Sequence, residues 1–128
     1  MRAVLGIATG IAAAMLTIAA GGASAHHSYT GFDLNKDVTV KGTVKAFAWE
    51  DPHSTIELLV VGPDGKTVEW MVEGAGPRRL TSRGWTVDAV KVGDHAEIVL
   101  NPSRDGARVG RMVAVYVDGK RVGREGRE

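Results

Sequence analysis

Between residues 38 and 117, five short stretches alternate apolar and polar side chains, and one glycine- and proline-bearing break separates the third from the fourth. Alternation over about 4–8 residues marks a half-buried strand, because successive side chains leave a strand on opposite faces. The first run, Val38–Ala48, sets Val38, Val40, Val44 and Ala46 on one face, with Gly42 marking a bend. Phe47 and Trp49 make the other face aromatic at its end. Thr55–Val61, with Ile56, Leu58 and Val60 inward, and Lys66–Val72, with Val68, Trp70 and Val72 inward, flank the turn Gly62-Pro63-Asp64-Gly65 and form a hairpin. The break Gly74-Ala75-Gly76-Pro77 starts a short helix to Arg83, with Gly84 as its stop and Trp85 placed to cover an open core. After another helical turn over Thr86–Val90 come strands at His95–Leu100 and Gly110–Val117. A polar loop, Asn101–Gly106, opens the connection between them, and Asp118-Gly119 turns the chain back into a short ribbon.

Strand, strand, strand, helix, strand, strand is the order of an OB-type barrel. The expected fold is therefore all-β with small α content: a five-stranded, OB-like, closed or partly open antiparallel barrel with one short helix between strands 3 and 4. An open antiparallel sheet with the helix on one face is the alternative. With no cysteine in the chain, such a domain is held by packing alone, and closure removes the exposed edges it would otherwise have to protect.

The barrel occupies residues 37–120 in this division. Ahead of it, one charged residue, Arg2, precedes an apolar run from Ile7 to Ala20 and an A-x-A site, Ala23-Ser24-Ala25. A bilayer span takes about 20 apolar residues, so this run is short for a membrane anchor. Its pattern describes a secretory signal peptide over 1–25, which directs the protein to the periplasm or outside the cell. Residues 26–36 form an N-terminal arm with Tyr29 and Phe32 as anchors, and 121–128 a charged, mobile tail. Sixteen Lys and Arg balance fifteen Asp and Glu. Loss of Arg2 brings the balance to zero, which argues against nucleic-acid and anionic-membrane partners, since both want clustered basic surface.

The chain resembles a family of small exported bacterial proteins catalogued as domain of unknown function 6152. The likeness rests on His26-His27-Ser28, Phe32-Asp33, Gly42-x-Val44, Trp49-x-x-Pro52-His53, Trp70, Arg83-Gly84-Trp85 and Gly93-Asp94. Asp51 stands where the family pattern leads one to expect asparagine before the Pro-His pair. The resemblance implies the fold and the exported location, and it assigns no reaction.

Cleavage after Ala25 would make His26 the first residue, placing an α-amine and an imidazole where one ring can chelate a metal. The amine, with a pKa of about 7.7–8.0, deprotonates readily near neutral pH. A third nitrogen from His27 or His53 completes the tetragonal set that suits Cu(II), a histidine brace, with Asp51 as an axial or outer oxygen. Cleavage after Ala23 would instead put His26 third, so that amine, two amides and imidazole wrap copper in a square plane. Candidate metal residues are thus His26, His27, His53 and Asp51, and copper is the expected ion. The expected protein is a copper-binding exported barrel for storage, delivery or sensing, not an enzyme. The competing class is a metal-free module for a peptide, an envelope component or a small ligand. A brace-copper redox enzyme has least support.

Against the metal set stands the plain alternative that histidines on an exposed arm are solvated and His53 caps a turn. His95 lies on the outward phase of its strand, and Met71 and Met112 sit inside strand patterns as packing. Arg78, Arg79 and Arg83 cluster on the short helix, either as a solvated face or as a grip on an anion. Trp49, Trp70 and Trp85 close the core in preference to forming a stacking platform. Glu50 and Asp51 point apart at a strand end, and no serine has a nucleophile-elbow context.

Overall fold

The computed structural model describes residues 29–124. The expected signal peptide and the pair His26 and His27 lie outside these residues. Six strands and one short helix follow a 3-10 turn at Tyr29–Gly31: β1 Val38–Ala48, β2 Thr55–Val61, β3 Thr67–Glu73, α1 Pro77–Ser82, β4 His95–Pro102, β5 Val109–Val117 and β6 Lys120–Arg121. The sheet order is β3-β2-β1-β4-β5-β6, and an additional β3–β5 pairing closes the first five strands into a barrel.

Closure corrects one part of the expectation. The barrel is mixed, not antiparallel throughout: β3 and β5 run parallel, with Met71, Val72 and Glu73 opposite Val109, Gly110 and Arg111. An odd ring cannot alternate direction at every contact. Five strands paired antiparallel in sequence leave the two outer ones pointing the same way, so the seam must be parallel.

β1 serves both halves of the barrel. Its first half pairs with β4 from Val38↔Leu100 to Thr43↔His95, and its second half pairs with β2 from Thr43↔Leu59 to Ala48↔Thr55. A bulge between Val44 and Ala46 shifts the register, so Ala46 lies opposite Glu57 and Phe47 opposite the buried Ile56. Period-two counting put Ala46 inward. The extra residue reverses that phase, and Phe47 packs on the core instead. Val44, Ile56, Leu58, Val72, Ile98, Leu100, Met112 and Val115 fill the interior, with Leu80 of α1 and Trp85 among them. Phe47 meets Trp49 edge-on at 5.9 Å between ring centroids and Trp85 at 6.2 Å. Trp70 and Trp49 are partly buried against the same cluster, so all three indoles serve the core.

The first residues of the expected tail, 121–124, are described, and 125–128 lie outside the described residues. Asp118 and Gly119, both at positive φ, turn β5 into β6. Val122 is buried and donates its N–H to the Val115 carbonyl at 2.8 Å. Gly123 lies so close to Trp85 that a Cβ there would come within 2.6 Å of the indole, and Arg124 N–H bonds the Arg83 carbonyl at 2.8 Å. Residues 121–124 are therefore part of the fold. Charge suggested mobility, but one valine and one glycine in a charged stretch suffice to dock it.

Candidate functional site

The β1–β2 loop carries Asp51 and His53, and it is stitched to the segment after β3. Ser54 N–H bonds the Ala75 carbonyl at 3.1 Å, and Gly74 N–H bonds the Ser54 carbonyl at 2.8 Å. His53, half-buried, places its Nδ1 at 3.2 Å from the Gly74 carbonyl. A carbonyl only accepts, so this contact puts the proton on Nδ1 and, in the neutral ring, the lone pair on Nε2. Metal-binding imidazoles are commonly oriented by such a bond from the other ring nitrogen. Asp51 is exposed and turns toward Gly76 and α1, on the side of Arg78 and Arg79.

The N-terminal arm is fastened elsewhere, along the β4–β5 loop. Phe32 bridges Ser103, Asp33 N–H bonds the Pro102 carbonyl at 2.9 Å, and Arg104 N–H bonds the Gly31 carbonyl at 2.9 Å. Farther along, Asn101 is fully buried. Its amide donates to the Lys36 carbonyl and to Asp37 Oδ1, each at 2.9 Å, and its Oδ1 accepts from Arg111 Nη1 at 3.1 Å. Alternation with Ala96, Ile98 and Leu100 inward predicts Asn101 outward, at the start of a loop; the register shift between Val99 and Leu100 buries both Leu100 and Asn101 instead.

His95 belongs to a third region. Rows of paired residues cross the outer face of β2, β1, β4 and β5, placing Leu59, Thr43 and His95 in one row and Glu97 opposite Tyr116 in the next. They line an open groove of about 420 Å³. The Lys41–Glu97 ion pair at 3.2 Å lies at this groove, and the Arg121 guanidinium stacks over Tyr116, 5.8 Å from its centroid. Met112 is buried in the core and Met71 is half-buried on β3. Among the described residues no three His, Cys, Asp or Glu side chains gather as a metal centre. Of the four sequence-predicted ligands, Asp51 and His53 share one loop, and the other two precede the described chain.

Two exposed groups, Lys45 and Asp105, have shifted pKa values. Glu69, through a hydrogen bond at 3.0 Å and its charge, raises the Lys45 pKa, with Glu57 adding to it. The Ser103 hydroxyl and the Ala107 N–H hold the Asp105 carboxyl below its usual range.

Comparison with known proteins adds a family and no activity. A family model described as a family of unknown function, DUF6152, matches residues 13–112. No curated protein matches the chain.

Proposed function

This chain belongs to the DUF6152 family, and from that premise we propose that it is an exported barrel that binds a metal ion, copper, through its N-terminal histidines and His53. The observation that carries the proposal is the His53 ring, oriented through Nδ1 on the Gly74 carbonyl in the way that metal-binding imidazoles commonly are. The set would be the α-amine and ring of His26 after cleavage behind Ala25, joined by His53 or His27. Neutral nitrogen ligands in that number favour Cu(II). The role would be storage, delivery or sensing.

Chain length supports the convergence. Three strand spacings from Phe32 across Ser103, Val109 and Met71, about 14 Å, taken at right angles to the rise of about 10 Å from Met71 to Gly74, give a separation of about 17 Å. The segment from His26 to Phe32 spans about 20 Å when extended. Little slack remains, so the arm has to turn back to bring the amine to the ring. Asp51 lies toward the helix arginines, and the proposal stands on nitrogen donors without it.

Mass spectrometry of the exported protein fixes its first residue, and titration with Cu(II) and Zn(II) tests the set. Copper preference that collapses in His53→Ala, in His26→Ala and on extending the first residue by one amino acid is the expected result. Equal weak binding by all four proteins overturns it. That outcome would favour the second reading, a metal-free binding module, which the outer groove beside Tyr116 and His95 supports. Neither reading calls for nucleic acid. The outer face of β2 and β3, used by oligonucleotide-binding barrels of this type, carries Glu57, Glu69 and Glu73 here.

A further inference from the structure

A second groove, of about 400 Å³, runs between the β1–β2 loop and α1 and is lined by Asp51, Pro52, Gly76, Arg78, Arg79 and Ser82. Gly76 keeps it open: a Cβ there would meet Asp51 Oδ1 at 2.5 Å and the Pro52 carbonyl at 3.0 Å. On the outer face of the barrel, ion pairs join Lys41 with Glu97 and Lys45 with Glu57 and Glu69. Here Arg78, Arg79 and Asp51 line the same space, and none of the three has a side-chain partner among the described residues. Ser82 gives its hydroxyl proton to the Arg79 carbonyl at 2.7 Å, which leaves its oxygen an acceptor.

We propose that this groove binds a small zwitterion, its phosphate held by Arg78 and Arg79 and its ammonium by Asp51. The guanidinium fork matches phosphate oxygens two at a time, and a carboxylate accepts from an N–H-bearing ammonium. The charges also balance: the groove carries a net charge of +1 from its three ionised groups, and a phosphate monoester bearing one ammonium carries about −1 at neutral pH. Free phosphoethanolamine has this charge; as a lipid headgroup its phosphate is a diester, so it offers the same phosphate and ammonium with a net charge of zero. The site uses neither His26 nor His53, so it stands or falls separately from the metal proposal.

The test is NMR titration of the full chain with O-phosphoethanolamine, inorganic phosphate and ethanolamine. Saturable shifts at Gly76, Arg78 and Arg79 are expected with the whole zwitterion, and binding at least about tenfold weaker with either half. Arg78→Ala/Arg79→Ala should abolish binding. Asp51→Asn should reduce the zwitterion to the affinity of phosphate alone. Equal affinity for inorganic phosphate, or indifference to Asp51→Asn, overturns the proposal, as does absence of binding by a chain whose amide spectrum shows it folded. Vesicles of phosphatidylethanolamine and phosphatidylcholine separate the two sources. Retention on the first alone, lost in the double arginine variant, marks a headgroup, whereas no retention together with binding of the free compound marks a solute.

Discussion

The N-terminal arm is tied to the barrel by polar groups, the buried Asn101 amide above all, whereas the C-terminal ribbon is tied by an indole, a valine and a glycine. The two attachments fail in different ways. A polar clamp depends on partner identity and leaves desolvated groups behind when one member goes. An apolar contact depends on volume and is indifferent to pH. The arm carries the histidines of the proposed metal set, so the terminus with the proposed ligands has the attachment that chemistry can loosen while the core stays packed.

The largest effect expected is at the ribbon. Trp85→Ala empties a buried indole site and should cost about 3–5 kcal/mol in denaturant unfolding. Gly123→Ala, at φ +76° and against the indole, should cost about 1–3 kcal/mol through strain and overpacking. Both should speed amide exchange at Val122 and Arg124 and leave exchange at Asp33 and Arg104 near wild type. If Asp33 and Arg104 are deprotected equally, the two termini are one cooperative unit and the comparison fails.

Asn101→Ala comes next, at about 1–3 kcal/mol, because it removes a fully buried amide that bonds the Lys36 carbonyl, Asp37 and Arg111. Its sharper readout is copper. No ligand is removed, yet a loosened arm spends less time near His53, so affinity should fall severalfold in isothermal titration while the far-ultraviolet spectrum stays native. Unchanged affinity would show that the arm reaches metal without this clamp.

What was legible in the sequence follows the same division. Strand existence, the helix after Pro77, the Gly84 stop and the burial of Trp85 rest on period, turn chemistry and volume, and the structure agrees. The bulge at Val44–Ala46 was not legible, because inserting a residue leaves an alternating pattern that still looks regular on either side. Neither was Asn101: an asparagine before proline has the look of a loop residue until its three partners, all distant in sequence or on another strand, are seen around it. The sequence suggests Asp51 as an axial or outer oxygen in a set with His26, His27 and His53; the structure puts Asp51 and His53 on one loop and turns Asp51 to the helix. Side-chain direction within a loop depends on contacts that only the closed barrel supplies.

The smallest expected effect belongs to pH. Asp105 accepts from the Ser103 hydroxyl at 2.7 Å and the Ala107 N–H at 2.9 Å, which holds its pKa below the ordinary value of 3.8. A carboxyl lowered on folding contributes stability above its unfolded pKa and loses it as pH falls through the folded one. The β4–β5 loop should therefore loosen only in acid below about pH 4, and the arm fastened at Ser103 and Arg104 should loosen with it. Because the group is exposed, global stability should shift little. Amide exchange at Ala107 and Arg104 should rise between pH 4 and pH 2 after correction for intrinsic rates, and Asp105→Asn should show the higher rate already at pH 6. The ribbon amides Val122 and Arg124 have no carboxylate acceptor and should hold their protection across that range. Parallel acid loss at both termini would mean that the arm's polar fastening is not separately titratable.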